Sequence, residues 1–356
     1  MTGVDPAYPT GVQPIPVTVV TGFLGAGKTT LLNRILLESG SRRYAVIVNE
    51  FAELGIDGDL VLEAREEIVT LANGCICCNV RGDLLRALES ILTRGVAYDA
   101  ILIETTGLAD PGPVIQTFYM DPDVAARVRL DAVVTVIDAR HFCRQIGQAP
   151  EIAAQIAAAD LILLNKTDLL LSREVESVES EVRALNPFAS IRRTVRAALP
   201  ASEVIGRNAF DLRRVVERVP GFGENRARHT SGIQSISMEV ERPIDLDRFL
   251  RWIDSVIALQ GEDVMRVKGI LNVTGEDQPF VFQSVHRIMD GDFLNEATFR
   301  QSKLVVIGRN LDQERMRRNF AGCQSKADYL GDLTTDDAPR ADLQEQGRAR
   351  LQSHAH

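Results

Sequence analysis

The sequence lacks any apolar run near the roughly 18 residues that a membrane-spanning helix needs, so no membrane partner is expected. It also lacks a surplus of basic charge. Its 49 acidic residues against 40 Lys and Arg leave a net charge of −9, which argues against a nucleic-acid partner held through a basic surface. No basic patch followed by an apolar stretch occurs in the opening MTGVDPAYPTGVQPIP, so no secretory leader is expected there. No internal repeat is found. Cysteine is scarce: there are five, and Cys75, Cys77 and Cys78 fall within four positions. An odd number clustered this way argues against a disulfide scaffold and for a thiol or metal site in the cytoplasm.

What is present is the balance of an ordinary globular protein, 45% hydrophobic and 25% charged over 356 residues, long enough for two domains. Residues 1–14 are Gly-, Pro- and Asp-containing and aperiodic, and read as a loose arm. From Ile15 onward, β-branched runs (IPVTVV, YAVIV, DAILIE, DAVVTVID, LILLN) alternate with amphipathic stretches such as TTLLNRILLES and RGDLLRALESILTRG. Continuous apolar strands separated by helices imply an α/β fold. The expectation is a P-loop NTPase domain over residues 15–220, with a mostly parallel sheet flanked by helices. A polar, Gly- and Arg-rich linker is expected at 221–232. A smaller α+β domain follows over 233–323, with strand IQSISMEV, helix DLDRFLRWIDSVIAL, three further strands and a last helix. Residues 324–356, polar and Asp-rich, read as a disordered tail.

Three motifs fall where such sheets bind ligands, at the carboxyl ends of strands. The first strand runs into Gly22-Phe23-Leu24-Gly25-Ala26-Gly27-Lys28-Thr29-Thr30 and then a helix. This is the G-x-x-x-x-G-K-[ST] phosphate loop in its strand–loop–helix setting. Backbone N–H groups of Gly25, Ala26 and Gly27 can cradle phosphates, Lys28 can reach the β/γ-phosphates, and the Thr29 hydroxyl can ligate Mg²⁺. Strand LILLN ends in Asn165-Lys166-Thr167-Asp168. An Asp there accepts from both N1–H and the exocyclic amine of guanine, a donor pair that adenine does not offer, so GTP and GDP are the expected nucleotides. Strand AILIE ends in Glu104-Thr105-Thr106-Gly107. Glu104 is expected to act on Mg²⁺, and the Gly107 N–H to meet the γ-phosphate. Between the second strand and this one lies NEFAELGIDG, placed as a nucleotide-sensing switch would be. Asp57 is its candidate for a Mg²⁺-linked contact, and a solvated loop carboxylate is the alternative.

Asn73-Gly74-Cys75-Ile76-Cys77-Cys78-Asn79 sits between that switch and Glu104. Thiolates in such close spacing suit Zn²⁺ or another thiophilic ion such as Co²⁺ or Ni²⁺. A single segment cannot complete the shell, so a fourth ligand must come from elsewhere; Glu53 is a carboxylate candidate. An incomplete shell suits transfer better than storage. Structural cysteines, and a thiol-redox-regulated GTPase switch without metal transfer, remain alternative readings. His141 and Cys143 at a helix start, and His354 and His356 at the end of the tail, read as incidental. Cys323 reads as core.

Together GFLGAGKTTLLN, NEF-x-E-x-GIDG, NGCICC, ETTGLADPGPVIQTF and NKTD resemble the CobW-type metallochaperone GTPases. RVKGILNV, FVFQSVHRI and KLVVIGRNL look like that family's small second domain. The short segment before NKTD, without a long His- and acid-rich insert, resembles the YjiA-like branch. The resemblance implies a GTPase of low intrinsic turnover that couples hydrolysis to placing a transition metal, often zinc, into a client metalloprotein. It implies phosphate and Mg²⁺ contacts from Gly25, Gly27, Lys28, Thr29 and Thr30, and γ-phosphate sensing by Glu104 and Gly107. It further implies guanine reading by Asn165, Lys166 and Asp168, and metal ligation by Cys75, Cys77 and Cys78. Val48, which cannot ligate, precedes Asn49, so an accessory surface metal site is not expected. Self-association into a homo-oligomer is left open.

Overall fold

The computed structural model describes residues 14–49, 67–71, 80–209, 232–261, 263–294 and 300–325. Strands β1 (Ile15–Thr21), β2 (Tyr44–Asn49), β3 (Glu67–Leu71), β4 (Ala100–Glu104), β5 (Val128–Asp138), β6 (Leu161–Asn165) and β7 (Ser190–Arg193) form one sheet in the order 3-2-4-1-5-6-7. Every neighbouring pair is parallel. The chain starts in the middle and builds outward to both sides, so the carboxyl ends flanking β1 form the switch point at which such sheets bind ligands. β1 shows why its residues suit this place. Val17 and Val19 enter the apolar cluster on one face and Val20 the cluster on the other. Helix α1 (Lys28–Leu37) covers one face with Leu31, Leu32, Ile35 and Leu36. Helices α2 (Val80–Thr93) and α3 (Gly112–Met120) cover the other with Leu84, Leu88, Ile115 and Phe118.

The second unit is an antiparallel sheet of β8 (Ile233–Val240), β9 (Val264–Leu271), β10 (Phe280–Val285), β11 (Ile288–Phe293) and β12 (Ser302–Arg309), ordered 11-10-9-12-8. Its fifteen- and ten-residue helices, Leu246–Gln260 and Gln313–Gly322, bring Phe249, Ile253, Met316 and Phe320 into its core. Cys323 is buried in the same cluster. Among the described residues no helix is long and apolar enough to cross a membrane.

Several elements lie outside the strands and helices anticipated from pattern. β3 and β7 are edges of the sheet, and β7 is only Ser190-Ile191-Arg192-Arg193, too short and charged to read as a buried strand. β11, IMDGDF, is the polar edge of the second sheet. Helix α4 (Pro150–Ala158) is buried from Ile152 through Ala158 on every side, so it shows no amphipathic stripe. Helix α5 (Ser172–Leu185) lies beside it and buries Val175, Val178, Val182 and Leu185.

The burial of α4 has a specific cause. Ile152 and Ile156, with Val175 and Val178 of α5, share one core with Ile233, Met265, Val305 and Ile307 of the second sheet. Across this core Arg266 of β9 reaches the Ala158 carbonyl and the Asp160 carboxylate. Lys268 Nζ lies 3.6 Å from Asp160 Oδ1, and the other Asp160 oxygen accepts the Val133 N–H at 2.9 Å. Burial pushes the Asp160 carboxyl upward, but the Arg266 and Lys268 charges outweigh it and hold it below the usual carboxylate value. A depressed folded-state value means stability that is full above about pH 4 and lost as pH falls through that lower value. Arg266→Met leaves buried Asp160 with Lys268 as its remaining counter-charge and is expected to cost about 2–4 kcal/mol near neutral pH. Urea unfolding checks this, and the deficit should shrink as pH is lowered, because without Arg266 the Asp160 carboxyl protonates at a higher pH than in the unmodified protein.

Candidate nucleotide-binding site

Residues 22–27 turn from β1 into α1, and the helix begins at Lys28. Gly27 caps it at φ 114°, and a Cβ there would stand 2.6 Å from Asn165 Nδ2. Only glycine allows both the left-handed backbone and that approach. Lys28 is buried and folds back over the loop, its Nζ donating to the Phe23 carbonyl at 3.3 Å. Burial lowers its pKa, and Glu104 opposes that in part. Leu24, Gly25 and Thr30 are exposed, while Ala26 is fully buried against the core. The result is a loop of backbone amides at a helix N-terminus with a lysine over it, an arrangement that holds phosphate.

Glu104 closes β4 beside this loop and is buried. Thr29 Oγ1 donates to Glu104 Oε1 at 3.2 Å. The second oxygen, Oε2, is buried with no hydrogen-bond partner among the described residues. Burial raises the carboxyl, with Lys28 and Thr29 pulling the other way. An orphaned carboxylate oxygen next to a hydroxyl is costly unless a cation completes it. Oxygen donors of this kind suit Mg²⁺, so the residues present fit that ion.

The segment after Glu104 is tied down on several sides. Thr105 donates through its backbone to Val20 O at 3.0 Å and through its hydroxyl to Thr21 Oγ1 at 2.8 Å. Gly107 packs on the phosphate loop so closely that a Cβ would come within 2.6 Å of Leu24 N. Gln155, fully buried on α4, donates through Nε2 to the carbonyls of Gly107 and Ala109, both at 3.1 Å. The apolar neighbours of Gln155 in IAAQIAA hide this polar residue in an otherwise structural helix, and no motif marks it in the sequence.

Asn165 ends β6 and its side chain joins two loops. Nδ2 donates to Ala26 O at 2.9 Å, while Oδ1 accepts from Ala197 N at 2.8 Å and from Thr194 Oγ1 at 3.2 Å. Both polar ends of Asn165 are therefore engaged by protein. Lys166 adopts φ 61°, and its Nζ lies 2.8 Å from Asp138 Oδ2 at the carboxyl end of β5. The same oxygen meets His141 Nδ1 at 2.8 Å. Burial opposes ionisation of Asp138, but His141 and Lys166 prevail and hold its carboxyl low. Asp168 follows in a short turn and is exposed. The 194–198 loop beside it is absent from the motif reading. Arg196 and Ala197 each take φ 51° there, an uncommon conformation for non-glycine residues that the Ala197–Asn165 bond helps hold.

Asp57 and Glu53 in 50–66, and Cys75, Cys77 and Cys78 in 72–79, lie outside the described residues. So do most of the N-terminal arm, most of the linker and most of the tail. The cysteine segment connects the carboxyl end of β3 to the start of α2. Among the described residues there is no group of three or more His, Cys, Asp or Glu that could hold a metal ion. Cys143 is an exposed free thiol.

The model of the CobW/HypB/UreG nucleotide-binding domain matches residues 16–193. That of the cobalamin synthesis protein cobW C-terminal domain matches residues 233–324. The zinc chaperone YjiA of Escherichia coli (strain K12) is 36% identical over 318 residues, 87% of this chain and 99% of its own. The zinc-regulated GTPase metalloprotein activator 1 of Schizosaccharomyces pombe is 33% identical over 347 residues, 84% of each chain. The crystal structure of Zn(II)-bound YjiA GTPase from E. coli aligns with a TM-score of 0.71 at 31% identity, over 88% of this chain and all of that one. A phosphate loop, an NKxD turn and a second antiparallel sheet thus occur together in one chain with close relatives along most of its length, and the chain belongs to the CobW family.

Proposed function

We propose that this protein binds and hydrolyses GTP and couples nucleotide state to delivery of zinc to a client metalloprotein. The observation that carries the nucleotide half is the buried Glu104 Oε2 without a partner, beside Thr29 and Lys28 at the start of α1. The metal half rests on the Cys75–Cys78 thiols, with Glu53 as a candidate further ligand, and on relatives named as zinc chaperones.

In this reading the Gly22–Thr30 loop binds the phosphates, with Lys28 at the β/γ oxygens. Thr29 and Glu104 would hold Mg²⁺, joined by Asp57, and the ion would supply charge neutralisation at the γ-phosphate. Asp168 accepts from the guanine edge. Asn165 acts through the loops it joins, and Lys166, held by Asp138, supports the base. Gly107 offers its N–H to the γ-phosphate while Gln155 holds the carbonyls on either side. Glu104 or a carboxylate of the 49–58 switch orients the attacking water. Most of the acceleration comes from positioned charge, since no side chain needs to form a covalent intermediate. Slow turnover suits a protein whose GTP state must last until a client is met. The thiol segment lies in sequence between the switch and Glu104. Metal and nucleotide therefore influence one another, and linkage makes the influence reciprocal.

Asp168→Ala is expected to weaken GTP and GDP binding by about a hundredfold, because two hydrogen bonds to a charged acceptor are lost together. Weak ATP binding should stay as it is. Titration with fluorescent guanine and adenine nucleotides measures both, and equal losses for the two bases would remove the assignment of Asp168.

Replacing Cys75, Cys77 and Cys78 by Ser should abolish stoichiometric zinc binding while leaving GDP affinity intact. Zinc affinity of the unmodified protein should differ between GDP and a non-hydrolysable GTP analogue. Competition with a chromophoric chelator measures it, and identical affinities in the two nucleotide states would end the coupling reading.

A further inference from the structure

The turn between β10 and β11 is two residues long, His286 and Arg287. His286 takes φ 50°. Short hairpins usually give such a position to Gly or Asn, because a larger side chain is strained there. The His286 side chain is nevertheless only 9% exposed. It is buried against the parallel-sheet unit, on Gly112 at the start of α3. A Cβ at Gly112 would fall on His286 Nε2, so the contact requires glycine at that point. His286 Nε2 lies 3.5 Å from Asp110 Oδ1, the oxygen that also accepts the Gly112 N–H at 2.9 Å. Burial would raise the Asp110 carboxyl, but His286, the Gly112 N–H and Arg309 outweigh it and hold it low. Behind the ring, the His286 N–H donates to Met265 O at 2.9 Å, and Met265 belongs to the core that the two units share.

Asp110 and Gly112 end the same segment that begins at Glu104. Its first half rests on the phosphate loop through Gly107 and on α4 through Gln155. Its second half is covered by the hairpin of the other unit. A packing role alone would be met by any ring or aliphatic side chain in a relaxed backbone. Here a strained backbone presents a polar ring to the one carboxylate of the segment's far end.

We propose that His286 is a positioning residue for the γ-phosphate response. Through Asp110 and Gly112 it sets the resting place of the 104–112 segment, so the second unit senses whether the bound nucleotide carries a γ-phosphate. This rests on the nucleotide reading above. It goes beyond that reading by naming the contact through which the second unit takes part.

The test is the ratio of affinities for GDP and a non-hydrolysable GTP analogue in full-length His286→Gly, Asp110→Asn and the double variant. Glycine relieves the backbone at 286, so folding should survive; His286→Asn, which also tolerates positive φ, provides the same measurement should the glycine variant fail to fold. Each single variant is expected to shift the ratio by about fivefold, with melting temperatures close to that of the unmodified protein. The double variant should shift it no further, as for two residues acting through one contact. Amide exchange at residues 286–289 should differ between the two nucleotides in the unmodified protein and cease to differ in His286→Gly. An unchanged ratio in the single variants, or additive shifts in the double, overturns the proposal while leaving GTP binding in place. Absence of any guanine-nucleotide binding by the unmodified protein would instead overturn the nucleotide reading, and this inference with it.

Discussion

The Asn165 carboxamide holds the nucleotide end of the sheet in one shape. One side chain donates to the phosphate loop at Ala26 and accepts from the 194–197 loop, while its own backbone leads into the turn that carries Asp168. The phosphate loop lies far from the other two in the chain, and only the Asp168 turn is regular, a single 3₁₀ turn. Buried backbone polar groups need partners, and a single buried amide meets the Ala26 carbonyl and the Ala197 N–H at once. Gly27 is required because Asn165 stands where a side chain would be. The phosphate loop and the NKxD turn are thereby held at a fixed separation, and in the proposed nucleotide reading that preorganisation would limit the ordering cost of binding.

Two buried carboxylates show how satisfaction separates structure from function. Asp160 lies between Arg266, Lys268 and the Val133 N–H, and its charge is fully accounted for by protein. It joins the two sheets and has no reason to be exposed to a ligand. Glu104 has a hydroxyl on one oxygen and no partner on the other. Lys28 and Thr29 offset its burial only in part, which leaves room for a cation in the proposed reading. Lys28, close enough to influence it, is itself depressed by burial. Burial of this second pair is only partly compensated within the protein.

The second unit is not tethered loosely. It shares a core with α4 and α5 and touches the 104–112 segment at Asp110 and Gly112. α4 is the common element: its Ile152 and Ile156 face that core, and its Gln155 grips the carbonyls of Gly107 and Ala109. Movement of the 104–112 segment is thus opposed from both units.

Local turn chemistry is written in short stretches of the sequence. GFLGAGKTT, NKTD and ETTG each specify a turn whose residue types follow from the group it must meet, and their flanking β-branched runs announce a parallel sheet buried on both faces. Edge strands such as β7 escaped, because an edge four residues long needs no apolar run. Gln155, His286, the 194–198 loop and the Asp160–Arg266 pair escaped for another reason. Each matters only through a partner between 32 and 176 positions away along the chain, and neither periodicity nor motif spacing carries that information. Packing brought them together: burying two sheets against one helix leaves polar groups that must find partners wherever the fold has placed them.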